Sequence, residues 1–189
     1  GNAGLAVTIN AGGTVNLSTS GNQVSGASLA LTAGNGATIE SNVSQFTASV
    51  TGDLTLTNGD DLEIVAPGVS TTDGDIALTV SGNLSGNTTI SANAGQGNVV
   101  INATGDVAFG SASLLSADQL NLTANDAELN TDIRELVGTI NGNLTLTETN
   151  GLTLGAENLT VNGNANISVS AGDLNGTGVL SATGNSVVL

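Results

Sequence analysis

The sequence predicts an all-β chain wound as a parallel β-helix of roughly nine coils. Three observations predict it. Apolar residues alternate with polar ones over short runs, Gly and Asn punctuate those runs, and the pattern recurs at a fixed offset. A tandem pair of β-sandwich domains is the alternative. It ranks lower because sandwiches bury aromatic residues, and these 189 residues contain two, Phe46 and Phe109.

The alternation is clearest at Leu54-Thr55-Leu56-Thr57, with leucines on one face and threonines on the other. Leu62 and Ile64, Leu78 and Val80, Leu120 and Leu122, Leu144 and Leu146, Leu152 and Leu154, Leu159 and Val161, and Ile167 and Val169 follow the same beat. Thr, Ser and Asn fill the outward positions, and β-branched Thr suits a half-buried pleated surface. Between the runs sit Asn35-Gly36, Asn58-Gly59, Asp73-Gly74, Asn141-Gly142, Asn150-Gly151 and Asn162-Gly163, all turn-forming pairs. The spacing gives about twenty short strands. Asp126 to Val137 has mixed apolar spacing and reads as strand and corner, with a single-turn helix as the alternative. Pro67 fits a corner, because proline cannot donate to a ladder.

Sliding the chain by 90 positions lays Thr51–Thr57 on Asn141–Thr147, Leu62 on Leu152, Ile64 on Leu154, Gly82 on Gly172 and Leu84 on Leu174. With a slip of one, Leu29–Ala33 meets Leu120–Ala124. The chain therefore reads as one continuous solenoid segment, 1–189, with internal repeat units of approximately 10–100 and 101–189. Coils stacked at the interstrand spacing of about 4.8 Å make a rod about 40 Å long. Apolar patterning runs to the last residues, Val187-Val188-Leu189, so both ends are expected to continue into something longer or to associate end to end.

Composition narrows the chemistry. There is one Arg, and no Lys, His, Cys, Met, Trp or Tyr. Proton shuttling by His or Lys and Cys nucleophiles are therefore excluded, and zinc, haem and iron–sulfur sites lose their usual ligands. Sixteen carboxylates give a net charge of −15, which excludes an electrostatic nucleic-acid binder and a polybasic membrane anchor. No apolar run approaches the ~18 residues of a transmembrane helix. Charged residues are 9% of the chain, well below the ~25% usual in soluble domains. Positive mean hydropathy and regular alternation argue against disorder all the same.

The strand starts Gly52–Thr57 and Gly142–Thr147, the run Asn150–Gly155 and the run Gly176–Asn185 resemble the repeat region of large secreted bacterial adhesins, the filamentous-haemagglutinin-like exoproteins and giant β-strand-repeat surface proteins. The likeness covers essentially the whole chain. It implies a right-handed β-helical shaft on the cell surface, exported through an outer-membrane transporter. No exporter-recognition domain is visible in these residues.

The densest acidic cluster is Asp60, Asp61, Glu63, Asp73 and Asp75, an oxygen-only set that suits Ca²⁺ in principle. A solvated turn is the favoured reading, because the equivalents ninety residues on are Asn150, Gly151, Thr153, Gly163 and Ala165. No other cofactor is expected. A carboxylate pair hydrolysing glycosides is disfavoured, since the chain offers few groups to hold sugar. Arg134 is expected to pair locally with Asp132 or Glu135. The Thr55/Thr57 and Thr145/Thr147 pairs resemble ice-binding faces, yet recur every 90 residues rather than every coil. Nine Asn-x-Ser/Thr sequons, at Asn16, Asn42, Asn83, Asn87, Asn102, Asn121, Asn143, Asn158 and Asn166, permit glycosylation without implying it.

The function expected is structural and non-enzymatic: a segment of an extracellular fibre or adhesin shaft that displays adhesive parts or forms a surface coat. Its partners are further copies of the repeat, in the same chain or end to end. The competing reading is a module that binds host glycan or surface protein through its own faces. An outward Phe46 or Phe109 beside a groove would favour it.

Overall fold

The computed structural model describes residues 4–18, 23–176, 178–184 and 186–188, with the backbone alone at 156 and 187. Leu189 and two members of the Gly176–Asn185 motif, Thr177 and Asn185, lie outside the described residues. The described residues form nineteen strands and one 3-10 turn, Asn93–Gly95. All strands belong to one sheet that winds on itself, and every pairing among them is parallel. A sandwich needs antiparallel sheets, so the tandem-sandwich alternative falls. The chain is a β-solenoid.

One inward ladder defines the turns. Val15, Ala37, Leu54, Ile76, Val99, Leu120, Leu136, Leu154 and Gly176 stand on one another. These nine rungs bound eight complete turns, with part-turns beyond both ends. A turn varies from 16 residues, between Leu120 and Leu136, to 23, between Ile76 and Val99. A second ladder runs Leu17, Ile39, Leu56, Leu78, Ile101 and Leu122. Nearly all of these side chains are buried, and fully burying a Val, Leu or Ile is worth roughly 1.5–3 kcal/mol. Stacking like on like keeps the interior narrow and dry.

Aromatics enter only where the ladder makes room. Phe46, Ile64, Gly86 and Phe109 occupy successive rungs of one ladder, and both phenylalanines are buried. A Cβ on Gly86 would lie 3.0 Å from Cε1 of Phe109 and 2.9 Å from the Ile64 carbonyl oxygen. The missing side chain is the space that Phe109 fills.

The varying turn length is absorbed in two ways. In the shortest turns two faces merge into single 14-residue strands, Ala37–Val50 and Ala127–Ile140. The stretch Asp126 to Val137 has its corner at Asp126, is strand from Ala127 onward as part of the second, and carries no helix. In the following turns an insertion bulges out of the ladder, between Ile64 and Val69 and again between Leu154 and Leu159. Pro67 lies exposed in the first of these bulges rather than at a corner. There its missing N–H is not asked for by any rung. Gly138 sits under the second bulge at φ +135°, with the Leu122 carbonyl so close that no Cβ fits.

Residues ninety apart do not share a ladder. Leu54 stands between Ala37 and Ile76, whereas Leu144 stands between Ala127 and Ala165. Ladder pairing carries Leu62, Leu84, Val107, Ala127 and Leu144 up one line, so Leu144 shares its ladder with Leu62.

Leu54, Leu56, Leu144 and Leu146 point inward, and Thr55, Thr57, Thr145 and Thr147 point outward. Adjacent residues on opposite faces make a direct test. Leu56→Asp buries an unpaired charge and is expected to cost several kcal/mol. Thr55→Asp, whose cross-strand neighbours are Thr38 and Ala77, is expected to cost under ~0.5 kcal/mol. Hydrogen exchange over residues 37–80 separates the two, and equal loss of protection in both would contradict the assigned faces.

Candidate functional site

An open groove surrounds Arg134, the only basic side chain of the sequence. Its walls are Ser116 and Ala117 from the strand Leu114–Ala124, and Asp132, Ile133 and Arg134 from Ala127–Ile140. Its ends are Ala94-Gly95 and Asn150-Gly151. The Asn93–Gly95 turn has three consecutive residues at positive φ, 46°, 51° and 87°. Two of them are not glycine, an arrangement costing of order 1–3 kcal/mol per residue that its surroundings must hold in place. Here the Gly95 and Gly97 N–H groups donate to the Ala92 carbonyl, and the Asn93 N–H donates to Oγ1 of Thr71.

Arg134 does not pair with its sequence neighbours. Its Nε and Nη2 donate to Oδ1 and Oδ2 of Asp118 at 2.6 and 2.7 Å, sixteen positions earlier and on the preceding turn. The reason is the pleat. Asp118 stands directly across the ladder from Arg134, between the pairs Ala117–Ile133 and Gln119–Glu135, and is nearer than Asp132, which lies two residues along the same face. This two-pronged contact holds the Asp118 carboxyl below its ordinary pKa. Asp132 accepts from Nδ2 of Asn150 at 2.7 Å. Arg134 and Asp132 of the groove thus each have a hydrogen-bond partner, a carboxylate for one and an amide for the other.

Beneath the groove lies a carboxylate that alternation should have placed. Leu144, Leu146 and Glu148 are successive inward positions, just as Leu54, Leu56 and Asn58 are. Glu148 is fully buried. It interrupts the aliphatic ladder Ile90, Leu115, Thr131, Glu148, Val169, together with Thr131 below it. Its Oε2 accepts from the Thr131 hydroxyl at 2.7 Å and the Ile133 N–H at 3.2 Å, and its Oε1 from the Asn150 N–H at 3.0 Å. Burial pushes its pKa up, and the hydrogen bonds from Asn150, Thr131 and Ile133 pull against that without overcoming it.

Along one corner runs a hydrogen-bonded Asp/Asn ladder. Oδ1 of Asp61 accepts the Asn83 N–H at 2.7 Å, and Oδ1 of Asn83 accepts the Asp106 N–H at 2.8 Å. Asp106, Asp126, Asn143 and Asn164 continue it to Ser186. The backbone carbonyls of the same residues receive the strand-start N–H groups of Leu62, Leu84, Val107, Ala127, Leu144 and Ala165. A shorter ladder joins Asp53, Asp75 and Asn98 at another corner.

The acidic cluster read from the sequence is spread through this framework. Asp60 and Asp61 lie at one corner, Asp73 and Asp75 at another, and Glu63 accepts from Nε2 of Gln45. Asp61 and Asp75 spend an oxygen each on the ladders. Among the described residues no three carboxylates converge to hold a metal ion. The two threonine pairs lie on different faces. The columns through Thr55 and Thr57 read Thr38, Thr55, Ala77, Val100, Asn121 and Glu40, Thr57, Thr79, Asn102, Thr123. The pair Thr145/Thr147 is flanked by Glu128, Asn130, Asn166 and Ser168. Both phenylalanines are interior, so neither borders a groove. No helix among the described residues is long and apolar enough to cross a membrane.

Fold and surface together define a β-solenoid of the kind found in repeat proteins. The chain matches no family model, no curated protein and no solved structure.

The ladder predicts a contrast at one rung. Asp106 accepts from Nδ2 of Asn125 and from the Asp126 N–H, and these bonds hold its pKa below the ordinary carboxylate value. Its contribution to stability is present above the unfolded-state pKa and lost as pH falls through the lowered one. Asp106→Asn keeps the acceptor and is expected to stay folded without that acid dependence, whereas Asp106→Ala leaves the Asp126 N–H unpaired and weakens both adjoining turns. Thermal melts from about pH 2 to pH 7 check both. Identical acid profiles for wild type and Asp106→Asn would contradict it.

Proposed function

We propose that this chain is a structural shaft segment of an extracellular bacterial fibre or adhesin, with no catalytic role of its own. The observation that carries the reading is the stack of parallel turns. Aliphatic ladders run through eight turns, and each turn repeats the backbone pairing of the last. A rod of this kind is extended by adding turns, at about 4.8 Å each.

Three further features support it. The outer faces are mostly Thr, Ser, Asn and small apolar residues, without an exposed aromatic among the described residues. The charge is almost entirely of one sign, which keeps rods apart from one another and from anionic surfaces. The strand starts Gly52–Thr57 and Gly142–Thr147 carry the resemblance to adhesin shaft repeats. The competing reading, recognition of glycan or protein by the solenoid's own faces, would be favoured by an outward aromatic, and both phenylalanines are inside. Partners on the shaft reading are neighbouring repeats of the same kind.

Antibodies raised against the segment test the reading. They are expected to label intact cells of the source organism, and electron microscopy of the parent chain should show a rod to which this segment contributes about 40 Å. Labelling only after cell lysis would overturn the extracellular placement. A parent particle without an elongated shaft would overturn the structural role.

A further inference from the structure

Asparagine is followed by glycine at Asn35, Asn58, Asn141, Asn150, Asn162 and Asn175. In such a pair no side chain on the glycine hinders its backbone nitrogen from reaching Cγ of the asparagine. A glycine N–H already in a hydrogen bond must break that bond first. The solenoid holds the N–H at three of the pairs. Gly59 donates to the Ser41 carbonyl at 2.9 Å, Gly142 to the Asn125 carbonyl at 2.7 Å and Gly163 to the Gly142 carbonyl at 2.7 Å. Asn58 is also fully buried, with its amide oxygen and nitrogen both engaged.

The pair Asn35–Gly36 is shifted by one place in the corner. Gly142 and Gly163 stand two residues before the strand starts Leu144 and Ala165, where the N–H meets a carbonyl of the turn below. Gly36 stands immediately before the strand start Ala37. That place belongs to the side-chain ladders. There the N–H groups of Asp75, Asn98, Asn143 and Asn164 donate to Oδ1 of Asp53, Asp75, Asp126 and Asn143. The residue beneath Gly36 is Thr14, immediately before Val15. Among the described residues neither the Gly36 N–H nor the Asn35 side chain has a hydrogen-bond partner, and Asn35 is exposed. At Asn150, by contrast, Nδ2 is held by Asp132 and the N–H by Glu148. The pair at Asn175 adjoins Thr177, which lies outside the described residues.

We propose that Asn35–Gly36 is a self-modification site, at which the chain deamidates through a cyclic imide ahead of the pairs whose glycine N–H the solenoid holds. The Gly36 nitrogen gives up its proton and bonds to Cγ of Asn35. The Cγ–Nδ2 bond breaks, and ammonia leaves with that proton. Water then opens the imide ring at either carbonyl, leaving aspartate or isoaspartate. Water is the sole co-reactant, and nothing is oxidised or reduced.

The product acts on the corner. Isoaspartate routes the backbone through the side chain and adds a methylene to the chain between Gly34 and Gly36. The Asn35 N–H donates to the Gly13 carbonyl at 3.3 Å, and the Asn35 carbonyl accepts the Gly52 N–H at 3.1 Å. Lengthening the chain here therefore loosens the corner on the turns below and above. Either product also places a new carboxylate at the foot of the Asp53–Asp75 ladder, where charge of the same sign already stands. The inference rests on corner register and is independent of the shaft reading.

The test follows the full 189-residue chain in mildly alkaline buffer, folded and in denaturant. Proteolysis after glutamate, with fragmentation mass spectrometry, measures conversion of amide to acid at each asparagine. In the folded chain Asn35 is expected to convert first. Asn58, Asn141 and Asn162 should convert at least about tenfold more slowly, because each needs a local opening of its turn. In denaturant the four should convert at similar rates. Thr14→Asp supplies beneath Gly36 the acceptor that Asp53 supplies beneath Asp75, and should slow Asn35 in the folded chain alone. Equal rates at Asn35, Asn141 and Asn162 in the folded chain, the same spread of rates in denaturant, or an undiminished rate at Asn35 in folded Thr14→Asp would each overturn the proposal. Should that variant fail to fold, the comparison of folded with denatured wild type decides alone.

Discussion

A parallel solenoid sends its strand backbone hydrogen bonds to the turn before and the turn after. That single constraint governs the rest of this molecule. At the Asp/Asn corner, the N–H of Leu62 goes to the Asn83 carbonyl, while the Asn83 N–H goes to the side chain of Asp61. Two donors that a corner would leave bare are thereby satisfied across adjacent turns, and an unpaired buried backbone group is costly. Corners so fixed hold the strands in register, and register decides which residues face inward. The aliphatic ladders are a consequence of that register as much as its cause.

With the ladders fixed, variation in chain length has nowhere to go but outward or around a bend. Turns of 16 and 22 residues coexist because excess chain leaves as bulges at residues 65–68 and 155–158, in the turns from Leu54 to Ile76 and from Leu154 to Gly176, and shortage is met by strands that bend without a corner. The bend exposes an interior N–H, at Val43 in one place and Ile133 in the other. Each receives a polar acceptor from the next turn, Asn58 or Glu148. The polar rungs Ser41–Asn58 and Thr131–Glu148 are therefore the counterpart of the two short turns.

Much of this was legible in the sequence for a physical reason. Side-chain direction in a strand has period two, so Leu54, Leu56, Leu144 and Leu146 were assignable to the interior without a structure. One further step of the same alternation reaches Asn58 and Glu148, and their polarity hid them. The partner of Arg134 was not legible, because sequence adjacency carries no information about which residue lies across a ladder whose turn lengths vary. The dispersal of Asp60, Asp61, Glu63, Asp73 and Asp75 has the same origin. Neighbours in sequence on either side of a turn diverge to separate corners, and their oxygens go to different backbone donors.

The ninety-residue offset is not a whole number of turns, and this shapes the surface. Thr55 and Thr57 fall on one face and Thr145 and Thr147 on another, so the copies do not build a long column of identical side chains. Unbroken identical ladders on flat parallel sheets are the geometry of lateral cross-β association. Rotating each copy to a new face breaks that regularity while leaving the interior, which asks only for aliphatic residues, unaffected. The corner ladder shows a related economy of charge. It reads Asp61, Asn83, Asp106, Asp126, Asn143, Asn164, so only one pair of carboxylates is adjacent, and there Nδ2 of Asn125 donates to Asp106. Like charges one rung apart repel, and alternating Asp with Asn keeps the acceptor at each rung while diluting the charge. The strongly acidic composition thus coexists with a tightly stacked rod because the carboxylates lie mainly on corners and outer faces. Glu148 is the exception, and it lies where a bend had to be capped from inside.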